Sequence, residues 1–344
     1  MFLRNHWYVA AWDHEITRSL TPRTVLGEKI VLYRREDGST VALADRCCHR
    51  KLPLSMGRLI GDRVECGYHG MTYDPDGRCV RIPGQERIPE KARVKSYPVH
   101  ERWGWVFVWM GEAEKADPTL LPEVPEFGAP GWGINRGPVM RIESHQAWVI
   151  DNLLDPSHTT FVHPTTLGVP EGADVPITVR EEGGSIAAVK WTMDLPPAGL
   201  FKKFGAYAGN VDRWQIYAFH LPSLVIVDLG AADAGSGAQE GGGSNRIAMR
   251  SFNFVTPETE TTSLYHWFQI RNFAPEDEAV SDGITATFTQ AFEEDLVILK
   301  AVHAAQAASG EPNLDIASDA APMRVRRLLK RLIDQERAPQ GAAA

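Results

Sequence analysis

The sequence predicts an α+β protein built from two domains. Three observations predict it. Residues 1 to about 110 are short apolar runs of strand length, separated by turn signals. A Pro/Gly-rich stretch over 111–133 then interrupts the chain. Beyond it, strand-like runs mix with two long helical patterns. The division expected is therefore 1–115 and 116–344. In the first part Ile30-Val31-Leu32-Tyr33, Val41-Ala42-Leu43 and residues 94–99 read as strands. Asp37-Gly38, Pro75-Asp76-Gly77 and Pro83-Gly84 read as the turns between them. Residues 103–109 read as a buried strand whose tryptophans pack the core. In the second part strands are expected over 186–191, 214–219, 224–229 and 247–255, and helices over 282–308 and 322–336. The glycine-rich segment 230–243 reads as a mobile surface loop, and a lid is an equally open reading.

Composition narrows the function. A chain of 344 residues can bury two cores. Lys plus Arg number 36 against 44 Asp plus Glu, a formal charge of −8, which argues against nucleic acid as a partner. Four cysteines are too few for a disulfide framework, and three of them crowd into 47–66. That clustering points to a metal held in a reducing, cytoplasmic compartment. The first residues lack a charged region followed by an apolar stretch, so no signal peptide is read. No apolar run approaches the length of a membrane span.

Two constellations carry chemistry. Cys47-Cys48-His49-Arg50 and Cys66-Gly67-Tyr68-His69-Gly70 supply one cysteine and one histidine from each of two loops. Zinc accepts Cys₂His₂, but zinc fingers place both cysteines first and both histidines last. A [2Fe-2S] cluster of Rieske type needs this mixture, two thiolates on one iron and two imidazoles on the other. Cys79 lies outside the pattern and reads as a buried structural cysteine.

The second constellation runs from Asp151 to His163. His158 and His163 are five residues apart, about 140° round an ideal helix, so they share a metal only if the helix ends or distorts between them. A carboxylate must come from elsewhere to complete a 2-His-1-carboxylate site. In the helix at 282–308, Phe288, Phe292, Leu299 and Val302 define an apolar stripe, and Asp295 falls in its middle. A buried carboxylate is costly unless a cation meets it, either an arginine or a metal. Glu293 and Glu294 point away from that stripe and read as a solvated face.

These motifs resemble those of the Rieske oxygenases. The Cys47/His49 and Cys66/His69 pairs are similar to the family's cluster signature, although the family mostly has proline where this chain has Cys48. Asn152, Asp155, His158 and His163 resemble its mononuclear-iron motif, and Glu294-Asp295-Leu296 resembles the segment that brings the third ligand. The resemblance implies an all-β Rieske [2Fe-2S] domain followed by a catalytic helix-grip domain, an antiparallel sheet around long helices. It implies Cys47, His49, Cys66 and His69 on the cluster, and His158, His163 and Asp295 on a mononuclear non-haem Fe(II). Asn152 and Asp155 take catalytic roles, Asp155 as the bridge from one subunit's cluster histidine to the neighbour's iron. A homotrimer follows from that bridge; a helix N-cap is the plainer role for Asp155.

Segments such as Ile82-Pro83-Gly84-Gln85-Glu86, Asp212-Arg213-Trp214-Gln215 and Thr256-Pro257-Glu258-Thr259-Glu260-Thr261 are scaffold. They resemble the branch of the family that oxidises methyl or methoxy groups of aromatic acids. That branch implies an aromatic acid and O2 as substrates, and Asn253 as a substrate contact. Arg250 is a second candidate anchor for a carboxylate or sulfonate, against an ordinary surface arginine. The chain has no Gly-x-Gly-x-x-Gly after a strand, so electrons must come from a separate reductase or ferredoxin. Arg324, Arg326, Arg327, Lys330 and Arg331 form a basic helix face, either solvated or a dock for that donor. A ring-hydroxylating oxygenase, a Rieske electron-transfer protein and a zinc-stabilised ligand-binding protein stay open as rivals.

Overall fold

Alternating apolar residues and tight turns build the N-terminal part as small antiparallel sheets. The structure, a computed structural model, describes residues 1–338. The chain divides into two units, Met1–Pro122 with Thr256–Thr259, and Glu123–Val255 with the chain from Glu260 onward. The division falls at Pro122, later than the expected residue 115. Residues 116–122 stay with the first unit because the Trp7 indole donates to the Asp117 carbonyl at 2.8 Å and Leu121 is buried.

The first unit holds β1 (Trp7–Trp12), β2 (Thr21–Val25), β3 (Glu28–Arg34), β4 (Thr40–Ala44), β5 (Arg58–Ile60), β6 (Arg63–Glu65), β7 (Thr72–Tyr73), β8 (Cys79–Arg81), β9 (Ser96–Tyr97), β10 (Val99–Arg102) and β11 (Trp105–Trp109). They form three sheets, ordered β1-β11-β10, β2-β3-β4-β9 and β5-β6-β7-β8. The single strand expected over 94–99 is two strands in different sheets, because Pro98 has no N–H to continue a ladder. Trp103 and Gly104, at φ 56° and 82°, make the β10–β11 hairpin turn, so the tryptophan-rich strand begins at Trp105.

The second unit is one antiparallel sheet gripping a long helix. Its strands are β12 (Gly133–Arg136), β13 (Met140–Ile142), β14 (Thr178–Glu182), β15 (Ser185–Leu195), β16 (Val211–His220), β17 (Leu224–Asp233), β18 (Ile247–Pro257) and β19 (Ser263–Arg271). The order is β12-β19-β18-β17-β16-β15-β14, with β13 also on β19. Its helices are α1 (Gln146–Leu153), α2 (Thr159–Val162), α3 (Gly199–Phe204), α4 (Glu278–Ser309) and α5 (Ala320–Arg337). Asp277 caps α4 by accepting from the Val280 N–H at 3.0 Å, and Gly310 ends it at φ 64°. Ile284, Phe288, Ala291, Asp295 and Leu299 are its buried residues. Val302, expected in that stripe, is 39 % exposed. The segment 230–243 is only partly a loop: β17 runs on to Asp233, with Ala231 and Ala232 buried. Among the described residues no helix is long and apolar enough to cross a membrane.

Candidate metal centres and the buried cavity

Two loops of the first unit share one backbone design. In each, the cysteine N–H donates to the carbonyl five residues on (Cys47 to Leu52 at 2.9 Å, Cys66 to Met71 at 2.8 Å). In each, the cysteine carbonyl accepts from the N–H four residues on (Lys51 at 3.1 Å, Gly70 at 3.1 Å). Residues 51 and 70 both turn the chain at positive φ, 63° and 66°. The same fold of the backbone thus presents Cys47/His49 and Cys66/His69. Both cysteines are buried, both histidines are exposed, and the two imidazole rings lie 4.6 Å apart. Burial pushes the Cys66 thiol up, as does Cys47 beside it, against backbone N–H bonds from Tyr68 and His69. The Tyr73 hydroxyl sits 3.1 Å from Cys47 Sγ and 3.2 Å from Cys48 Sγ, and it accepts from the Cys48 N–H at 3.3 Å. Its own proton is therefore left for a sulfur. Cys79 is buried, its thiol on the Arg81 carbonyl at 3.3 Å.

The second unit collects donors from two distant segments. His158 and His163 flank the one-turn helix α2 as its N-cap and C-cap, with His163 already out of helical geometry at φ −119°, ψ 49°. Ending the helix there brings their rings to 5.2 Å, so the 140° separation of a regular helix does not apply. Gly168 lets the returning chain pack on that turn, since a Cβ there would lie 2.3 Å from the Thr159 carbonyl oxygen. The Nε2 atoms of His158 and His163 stand 3.5 and 3.2 Å from Asp295 Oδ1. One ligand atom from each of the three residues falls within 4.8 Å of the others.

The far side of each imidazole is committed. His158 Nδ1 meets the Asp155 carbonyl at 2.5 Å, and His163 Nδ1 meets Glu294 Oε2 at 2.7 Å. Both partners only accept, so both Nδ1 atoms carry hydrogen and both Nε2 atoms face Asp295. Glu294, expected to be solvated, is thus part of the centre: its longer stem reaches round the helix edge to the His163 ring. Burial pushes His158 towards its neutral form, with Asp295 opposing. Burial acts the same way on His163, but Asp295 and Glu294 outweigh it and raise its pKa. Asn152 Nδ2 donates to Asp295 Oδ1 at 3.0 Å and so aims the carboxylate. Asp155 Oδ1 accepts from the Ser157 N–H and hydroxyl at 2.8 and 2.5 Å, the turn-capping role. Two imidazoles and one carboxylate converging on one point, each oriented from behind, fit a divalent iron of the facial-triad type.

These side chains border a cavity walled by Leu153, Leu167, Val227, Leu229, Phe288 and Phe292. Tyr217, Ser251, Asn253 and Arg213 supply its polar wall. Asn253 is buried and its amide is spent: it accepts from Ser251 Oγ and Tyr265 OH at 2.9 and 2.7 Å, and donates to the Val225 and Ser251 carbonyls. Arg250, the other candidate anchor, does not line the cavity; it is ion-paired with Glu126. Of the basic residues on α5, Arg324 pairs with Glu181, Arg326 with Asp151 and Asp315, and Lys330 with Asp334. That face is largely neutralised within the chain.

Comparison with known proteins agrees with this geometry. The Rieske [2Fe-2S] domain family matches residues 6–98, and the vanillate O-demethylase oxygenase C-terminal domain family matches residues 142–335. The chain is 41% identical, over 98% of both proteins, to the toluene-4-sulfonate monooxygenase system iron-sulfur subunit of Comamonas testosteroni. It is 34% identical, over 100% of this chain and 98% of the other, to the vanillate O-demethylase oxygenase subunit of a Pseudomonas species. Dicamba monooxygenase with non-haem iron and dicamba superposes with a TM-score of 0.81 at 29% identity, covering 97% of this chain and 98% of that one.

Proposed function

Because the chain belongs to the Rieske non-haem iron monooxygenases with a vanillate O-demethylase-type oxygenase domain, we propose that it hydroxylates a methyl or methoxy carbon of an aromatic acid. It is an oxygenase component, served by a separate reductase. The observation that carries the reading is the His158/His163/Asp295 cluster bordering a cavity walled largely by apolar side chains, Phe288 and Phe292 among them.

Cys47, Cys66, His49 and His69 would hold the [2Fe-2S] cluster, and His158, His163 and Asp295 the Fe(II). When bound, the cluster supplies electrons one at a time and the iron supplies reductive activation of O2. The chain's own residues do the rest. Glu294 and the Asp155 carbonyl fix the imidazole tautomers, and Asn152 fixes the carboxylate, so the donor set needs no rearrangement. Phe288, Phe292 and Leu167 keep bulk water from the reacting carbon. One oxygen atom of O2 enters the C–H bond and the other leaves as water, at the expense of two electrons and two protons. A methoxy group then loses formaldehyde through its hemiacetal; an aryl methyl group gives the benzyl alcohol.

The Asp155 side chain is the bridge to a neighbouring subunit's cluster, and the working assembly is a homotrimer. Helices α2 and α4 both carry exposed apolar residues that another copy would cover, Phe161 at 73 % and Val297 at 69 % exposure. The test is chemical reduction of anaerobically purified protein, followed by O2 with toluene-4-sulfonate or vanillate. Three irons and two acid-labile sulfides per chain, with hydroxylated or demethylated product, are expected. Zinc without sulfide, or no product from any methyl- or methoxy-arene, overturns the reading.

A further inference from the structure

The cavity holds a charged group that nothing in the protein answers. Arg213 is buried, at 4 % exposure, on β16. Its Nε has no hydrogen-bond partner, and among the described residues no carboxylate pairs with its guanidinium. Its one defined contact is the face of Phe201, 5.3 Å from the ring centroid. Lys190 on β15 is buried too, and the Arg213 charge beside it helps push its pKa down. Tyr217, four residues along the strand, feels both Arg213 and Asp295, whereas Arg213 feels no carboxylate at all. The cation therefore stands apart from the metal-binding corner of the same cavity.

A guanidinium withdrawn from water without an anion is one of the costlier arrangements in a protein interior. Burial alone pushes its pKa down to about 10. Ordinary structural arginines in this chain do not tolerate that state. Arg250 has Glu126, and Arg271 has Asn135, Ser281 and three carbonyls. The missing partner is supplied by something that enters the cavity.

We propose that Arg213 is the residue that binds the anionic head group of the substrate, a sulfonate or carboxylate taken as a forked ion pair. The ring then lies against the apolar wall and the methyl or methoxy carbon points to the His158/His163/Asp295 corner. This rests on the reading of the cavity as the site of oxidation. It gives the specificity a physical origin: the anion offsets a buried charge, and a neutral analogue leaves that charge unanswered.

The experiment is calorimetric titration of the iron- and cluster-loaded protein, kept anaerobic. The probes are toluene-4-sulfonate and 4-methylbenzoate, each against its neutral amide. The wild type is expected to bind at least one acid about 10-fold or more tighter than its amide. Arg213→Met should weaken that acid by about 10- to 100-fold and leave the amide unchanged. Arg213→Lys, which keeps charge and loses the fork, should fall between. Arg250→Met should behave as wild type. Equal affinity for acid and amide in the wild type, or no binding of either acid, overturns the inference without any variant. So does an Arg213→Met protein that keeps its cluster spectrum, binds the amide and still binds the acid as tightly. Failure of the oxidation reading shows separately, as an acid that binds through Arg213 and is never converted to product.

Discussion

The two candidate metal centres are built on opposite plans. In the first unit, the four candidate ligands lie within 23 positions (47–69) on two loops of one backbone design, with cysteines inside and histidines at the surface. In the second, the ligands come from segments over 130 positions apart (163 and 295), and His163 and Asp295 are buried. An electron-transfer group needs an edge at the surface for electrons to enter, and local loops can build that. A centre that activates O2 needs exclusion of water, and only a closed core provides it.

The largest test of this contrast removes one ligand from each side. Asp295→Ala should abolish turnover and lower iron from three to two per chain, while the cluster's visible spectrum is untouched. Cys47→Ala should abolish turnover by the other route, losing sulfide and two irons and retaining the third. Metal analysis separates the two; loss of both centres in either variant would show that the units do not fold independently.

Next come the groups behind the ligands. Glu294→Gln removes the charge that fixes His163, and should weaken iron binding by about 10- to 100-fold with sulfide content unchanged. Competition with a chelator measures it. Unchanged iron affinity would return Glu294 to the surface role its sequence position implies.

A further effect lies at Asp151 on α1. Burial raises its pKa to about 7, although Arg326 opposes this from 3.5 Å, because Arg326 is shared with Asp315 and because Asp319 also repels. The folded state holds this proton to higher pH than the unfolded state does. Stability from Asp151 is therefore full below about pH 4 and declines between pH 4 and 7. Asp151→Asn should flatten that decline by about 1–2 kcal/mol in denaturant melts at pH 4 and pH 8. A decline of equal slope in the variant would assign the pH dependence elsewhere. The smallest change is expected from Tyr73→Phe, which deletes a hydrogen bond to a cluster sulfur and should lower the reduction potential without altering iron or sulfide content. Redox titration reads it; an unchanged potential would mean that the Tyr73 proton points elsewhere.

Legibility followed the same division. Cys47, His49, Cys66 and His69 stand at short spacings, so their partnership needed no tertiary information. Asp295 could be found as a carboxylate inside an apolar helical stripe. Glu294 was lost because a wheel places a side chain by its Cα and not by its reach. Arg213 was lost for a related reason. On β16 Arg213, Gln215 and Tyr217 alternate with Trp214 and Ile216, and alternation alone assigns the polar set to solvent. In the fold β16 is an inner strand between β15 and β17, and Arg213 and Tyr217 line the cavity together with Phe288, Phe292 and Asp295 of α4. Asn253 was found on its strand, but its hydrogen bonds go to Ser251, Tyr265 and Val225.

The sequence by itself determined most element types, the two-domain order and the candidate metal ligands, because strand and helix periods, turn residues and side-chain chemistry are all legible locally. Tertiary structure alone decided which polar groups have partners. It placed Glu126 against Arg250, Glu294 against His163, and no anion against Arg213, because pairing depends on distances between residues far apart in the chain.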